Sequence, residues 1–292
     1  MASSLQTAKL AVSRPTTIYE PPSLRRLSVP AAFRQLRQFA DLFVTLSLHR
    51  VRVRYKQSRL GILWAVIQPL AMMLVFTLMA AFLRTAPSGH VPYPLFAYSA
   101  LIPWTMFSSG LTNASGALTS HASLLTKVAF PREILPLTYI VAALVDMSIA
   151  SVVLLLLMMW FGVPLTATSV WSFAAIAVLT GFLVGLGLLL SALQVRHRDI
   201  GLAMPVLMQV WLFATPVLYP LTAVRSALAP PLYGLYIVNP MAGVVDTFRR
   251  AVVLHQSPDF HALATSAVVV AALVPAAYVY FKYVELTMAD AV

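Results

Sequence analysis

Cysteine is absent from this 292-residue chain. Without thiols there is no disulfide framework, no thiolate zinc site and no cysteine nucleophile. Charge is scarce: Asp, Glu, Lys and Arg make up 10% of residues, against roughly 25% in an average soluble domain. Acids are scarcer still, 9 against 20 bases, which leaves a net charge of +11. The 11 glycines form no G-x-x-x-x-G-K-[ST] run, so the chain carries no phosphate-cradling loop of its own. No D-x-D or H-x-x-x-x-D pattern occurs, which argues against a membrane-embedded glycosyl- or acyltransferase; Arg198-Asp199 comes nearest and holds a lone acid. His49, His90, His121, His197, His255 and His261 are scattered, with no H-x-x-x-H or acid-rich cluster for a metal.

What the chain has instead is apolar length. Hydrophobic residues make up 60% of it and its mean hydropathy is +0.84. Apolar windows near the ~20 residues needed to cross a bilayer predict six spans, at about 60–83, 93–113, 134–160, 170–193, 200–221 and 262–281. The second is weaker, with several Ser and Thr, but residues 85–126 contain no Asp, Glu, Lys or Arg at all. Helices are expected, because in lipid each peptide group must bond within its own segment. The predicted fold is an all-α integral membrane protein. The positive charge then points to anionic lipid and not to nucleic acid.

With the N-terminus placed in the cytosol, 16 of the 20 Lys and Arg fall on the inner side. Arg84, Arg225, Arg249 and Arg250 fall outside. This split predicts both termini inside and an even number of spans. Residues 1–30, rich in Ser, Pro and Arg and lacking a secretory apolar core, are expected to be a flexible cytosolic tail. Residues 222–255 are too long for a turn and too apolar for an ordinary loop. Pro230, Pro231, Gly234, Pro240 and Gly243 interrupt them, which predicts short re-entrant helices dipping in from outside.

Residues 31–59 form a basic amphipathic segment. Phe33, Leu36, Phe39, Ala40 and Phe43 recur at helical spacing, which predicts a helix lying in the inner interface. Arg50, Arg52, Arg54, Lys56 and Arg59 follow it directly. They would hold the entry of the first span at the headgroups. Arginine also suits bidentate phosphate binding, which makes an anionic head group of a transported molecule the sharper candidate ligand. Asp146 is the one acid inside a predicted span. It is either a functional carboxylate or a helix-packing hydrogen bond. Gly181, Gly185 and Gly187 in the fourth span would permit close helix contact.

Several motifs occur in order. Arg54-Tyr55-Lys56-Gln57-Ser58 is followed by Leu60-Gly61, Trp64 and Pro69. Then come Lys127-Val128, Phe130-Pro131 and Leu135-Pro136; Arg198-Asp199-Ile200; Thr215-Pro216-Val217 and Tyr219; Asn239-Pro240-Met241; and Phe248-Arg249. From about residue 42 to the end, this series resembles the membrane subunit of ABC-2 type polysaccharide exporters, which move O-antigen, capsule or teichoic acid chains. The resemblance implies a homodimer in the bacterial inner membrane, served by two separate ATP-binding subunits that bind the ATP and magnesium. No cofactor is then expected in this chain. It implies a coupling helix at about 115–130 that seats in the ATPase. There Leu124, Leu125, Val128 and Phe130 are apolar contacts, with His121, Lys127, Arg132 and Glu133 around them. It implies a lipid-linked glycan passing along the dimer interface. The candidate channel residues are Tyr93, Phe96, Tyr98, Trp104, Phe107, Trp211, Phe213 and Tyr219, since aromatic rings cover sugar C–H faces. Pro230, Pro231, Tyr233, Tyr236, Asn239 and Pro240 are the candidate outer gate. Arg52, Arg54, Lys56 and Arg59 would meet the lipid phosphate. An ABC-2 exporter of lipids or drugs would share this fold without the aromatic path, and a scaffold would lack the ATPase.

Overall fold

The computed structural model describes residues 37–56, 60–83, 91–127 and 130–286, the side chains of 125–127 excepted. Among them there is no strand. The predicted tail at 1–30 lies outside the described residues.

Helix α1 (Ala40–Lys56) is followed by a 3-10 turn at Gly61–Leu63 and α2 (Trp64–Leu83). Gly61 has φ +47°, a left-handed conformation that a side chain would strain; here the chain turns into the first long apolar helix. Next come α3 (Tyr93–Ser115), the short α4 (Ala122–Lys127) and α5 (Ile134–Trp160). Past α5 the chain turns at Gly162, φ +70°. The Val163 and Gly162 amides donate to the Met158 and Met159 carbonyls, at 2.9 and 3.2 Å, a Schellman closure. Then follow α6 (Trp171–Arg196), α7 (Asp199–Phe213), α8 (Leu221–Ala227), α9 (Pro230–Ile237), α10 (Pro240–Val252) and α11 (Phe260–Glu285).

Among the described residues, four stretches are long and apolar enough to cross a membrane: Gly61–Phe82, Ile134–Trp160, Ala167–Arg196 and Phe260–Glu285. These match the first, third, fourth and sixth predicted spans. The other two differ. Helix α3 has the length but not the hydropathy, and it is the buried centre of the bundle, packed by α2, α5, α6 and α10. A helix enclosed by protein need not be apolar all round. Its hydroxyls are satisfied by its own turns, as where Ser99 donates to the Phe96 carbonyl (2.9 Å) and Thr112 to that of Ser108 (2.7 Å). Helix α7 stops at Phe213 instead of running on towards residue 221. At 15 residues it covers only about 22 Å, and Asn239 Nδ2 reaches back to the Ala214 carbonyl beyond its end (3.2 Å).

Helices α6 and α11 pack closely, as the glycine pattern predicted. A Cβ at Gly181 would lie 2.8 Å from Val270, and one at Gly185 2.9 Å from Leu273. The main core surrounds α3. A second cluster joins Phe130, Ile134, Leu188, Val195, Phe281 and Val284, at the end of the bundle where α5 starts and α11 finishes.

Candidate functional site

Among the described residues, three polar assemblies stand out. The first involves α1. Phe39, just ahead of it, and its Leu42, Phe43 and Leu46 pack on the second core cluster, and the helix then runs along α5. Arg50 donates to His121 Nε2 at 2.6 Å and lies 4.3 Å over the Tyr139 ring. One turn on, Arg54 pairs with Asp146 at 2.6 Å, and the Tyr55 hydroxyl donates to the other carboxylate oxygen. Asp146 is the thirteenth residue of α5, about 18 Å along it at 1.5 Å per residue. Thus Arg54 does not simply hover at a headgroup layer; it neutralises the acid that the sequence places inside a span. A cavity of about 80 Å³ adjoins the pair, and Gln68, Thr105 and Ser109 are among its walls. Arg52 and Lys56 are exposed on the same helix, while Arg59 lies outside the described residues.

Because arginine can only donate, His121 Nε2 is the acceptor. Its Nδ1 therefore carries the proton and donates to the Ala117 carbonyl at 2.9 Å. Burial, helped by the Arg50 charge and opposed by the Ala117 bond, holds this imidazole below its ordinary pKa.

The second assembly closes the same end of the bundle. Lys282 Nζ lies 2.8 Å from Glu133 Oε2 and 2.8 Å from Glu285 Oε2, with all three side chains buried. Arg132 Nη1 donates to the Glu285 carbonyl at 3.2 Å. These bonds tie the Phe130-Pro131-Arg132-Glu133 segment to the last turns of α11. Phe130 itself is buried within the chain, and Leu124 is half-buried. Val128 and the side chains of Leu125 and Lys127 lie outside the described residues.

The third assembly is at the opposite end. Arg249, counted among the outer-side cations, is 1% exposed and lies inside α10. Its Nη2 donates to the Pro216 and Val217 carbonyls (both 2.7 Å), its Nη1 to Tyr219 (3.1 Å), and its guanidinium sits 3.8 Å over Phe96. These carbonyls belong to the irregular stretch after α7, where Pro216 has no amide hydrogen to continue a helix. Asn239 caps α10, accepting from the Met241 amide (3.1 Å) and from Trp211 Nε1 (3.1 Å).

The aromatic channel set is divided. Phe96, Tyr98, Trp104 and Phe107 are buried within the chain. Tyr98 donates to the Ala150 carbonyl (3.2 Å), and Phe107 stacks on Phe182 at 5.3 Å. Tyr93, Trp211 and Tyr219 keep partial exposure and Phe213 is 57% exposed. Of the gate residues, Pro230 and Pro231 are exposed, Tyr233, Tyr236 and Asn239 half-buried, and Pro240 buried. Tyr219 and Tyr236 hydroxyls meet at 3.3 Å.

Sequence reasoning passed over the roles of Tyr55, Lys282, Glu285 and Arg249. The only signal was position: each charge sits at the edge of an apolar run, where an interfacial anchor and a buried pair read alike.

The family model described as ABC-2 type transporter matches residues 41–253. The chain is 30% identical over 250 residues to the O-antigen export system permease protein RfbA of Myxococcus xanthus, covering 85% of this chain and 94% of that one. RfbA of Klebsiella pneumoniae is 26% identical over 72% of this chain and 79% of its own length. The polysialic acid transport protein KpsM of Escherichia coli is 26% identical over 71% and 79% respectively.

Proposed function

This chain belongs to the ABC-2 type transporter family, and from that premise we propose that it is the membrane-spanning subunit of a bacterial polysaccharide exporter. The single observation that carries this reading is similarity along 94% of a relative named as an O-antigen export permease. In this reading two copies form the path and two separate ATP-binding subunits supply the energy, in keeping with the absence of a phosphate-binding loop here. Helices α3 and α7 complete six crossings of the inner membrane, and both chain ends are cytosolic. The shortness of α7 is then made up by the turn that Arg249 and Asn239 hold.

The substrate is a lipid-linked chain of O-antigen or capsule type. Arg52 and Lys56, exposed on α1, meet its phosphate together with Arg59. Arg54 orders that surface through Asp146. The segment from His121 to Arg132 receives the ATPase. Its movement passes to α1 through Arg50–His121 and to α11 through Lys282. Tyr93, Trp211, Phe213 and Tyr219 are the channel aromatics with ring surface left to offer, and the helices at 222–255 form the outer gate.

The test is export in cells lacking the native gene copy. The wild-type chain should restore surface polymer. Arg52→Ala and Arg54→Ala variants that still insert and assemble should lose polymer and lipid-stimulated ATPase activity. Normal export and normal stimulation in both would defeat the phosphate assignment. Labelling that placed the two chain ends on opposite membrane faces would defeat the topology.

A further inference from the structure

A cavity of about 410 Å³ lies between α8, α9 and the start of α11, lined by Arg225, Leu228, Pro230, Tyr233, Asp259 and His261. That volume is within the range of small-molecule sites, roughly 300–1,000 Å³. Its chemistry narrows the occupant. One guanidinium faces one carboxylate, so the lining has no dominant sign. A phosphate would have to sit beside Asp259, and a cation beside Arg225. A lipid tail would strand four polar side chains. One carboxylate and one imidazole are too few for a metal, and among the described residues no group of three or more His, Asp or Glu could hold one.

What remains is a neutral, hydroxyl-rich ligand with a flat apolar face. The Tyr233 ring is half-buried and lines the cavity, with the Arg225 guanidinium 6.0 Å from its centroid. Asp259 Oδ1 caps α11, accepting from the amides of His261 (3.1 Å) and Ala262 (3.2 Å). The cap fixes the carboxylate's direction and leaves Oδ2 to accept from a hydroxyl. Burial first, then the Asp259 charge, push the Tyr233 phenol above its ordinary pKa, so its O–H remains a donor.

We infer that this cavity binds a neutral pyranose unit, with Tyr233 against its C–H face, Asp259 accepting from its hydroxyls, and Arg225 and His261 donating at its edge. The assignment rests on the polysaccharide-export reading. It makes the outer segment a subsite that holds the emerging chain, over and above a steric gate.

The test uses the full-length protein in lipid nanodiscs and saturation-transfer NMR. The probes, used singly, are methyl glucoside, mannose, rhamnose and N-acetylglucosamine. At least one should receive transfer at its ring C–H protons. Tyr233→Ala should abolish the signal and Tyr233→Phe should keep it. Asp259→Asn, which preserves the cap, should weaken binding about tenfold, as expected for the loss of one charge-assisted hydrogen bond. The inference is overturned if none of the four sugars responds, if Tyr233→Ala matches wild type, or if inorganic phosphate displaces the sugar. Complementation separates the two levels. A wild-type chain that restores surface polymer while no sugar binds sinks only the cavity assignment. A wild-type chain that restores no polymer sinks the export reading beneath it.

Discussion

Replacing Lys282 with Met should be among the most damaging single changes in this molecule. The ammonium sits 2.8 Å from a carboxylate oxygen on each side, and the three side chains are 1%, 2% and 4% exposed. Met fills a similar volume, so packing is largely conserved. Electrostatics are not: two buried acids are left facing each other. Removing one partner of a buried ion pair costs about 3–5 kcal/mol. At about 2–4 °C per kcal/mol for a chain of this size class, the melting temperature should fall on the order of 10 °C. The assay is thermal unfolding of the detergent-purified protein, followed by loss of the monodisperse size-exclusion peak. The triple variant Glu133→Gln, Lys282→Met, Glu285→Gln removes the charges together and should recover most of the loss. A Lys282→Met protein that melts within about 2 °C of wild type would refute the reasoning, because under ~1 kcal/mol is the range of a solvent-exposed pair.

Four further outcomes follow from the same geometry. Gly243→Ala should destabilise by about 1–3 kcal/mol, since its Cβ would lie 2.3 Å from Ser266 Oγ and 2.6 Å from the Ala262 carbonyl oxygen. Gly234→Ala, with nothing within 4 Å and a helical backbone, should instead gain ~0.5–1 kcal/mol; paired thermal melts test both, and equal shifts would count against the packing described. Arg249→Lys keeps the charge but loses the fork that holds the Pro216, Val217 and Tyr219 carbonyls. It should cost about 2–3 kcal/mol, and a melt indistinguishable from wild type would show that the fork is dispensable. His121 has a folded pKa below its ordinary 6.5, so its stabilising contribution is complete above that value and is lost as pH falls through the folded pKa. Melting curves between pH 7.5 and 5 should therefore fall less steeply for His121→Gln than for wild type; identical slopes would remove His121 from the account.

The legible part of the fold was what lies close in sequence. The long apolar runs at 60–83, 134–160, 170–193 and 262–281 all became long helices. Gly181 and Gly185 became a helix contact. The weak second span became α3, a mostly buried helix whose Ser and Thr hydroxyls bond within its own turns. The end of α7 was misplaced because apolar residues continue past Phe213, while the carbonyls beyond it are held by groups from α10 and its cap.

By itself, the sequence determined that the chain is a helical membrane protein, which ends of its spans carry positive charge, and where prolines and glycines interrupt its apolar stretches. These follow from transfer free energy and backbone sterics, which act over a few residues. Only the tertiary structure decided which charges meet. Tyr55 and Asp146 are 91 residues apart in the chain, and Lys282 and Glu133 are 149 apart. Arg249 was counted among the outer-side cations and proved buried, and half of the aromatic set turned inward. A charge beside an apolar run can be anchored at an interface or matched inside a bundle. Local sequence assigns these nearly the same pattern, and only the positions of the neighbouring helices separate them.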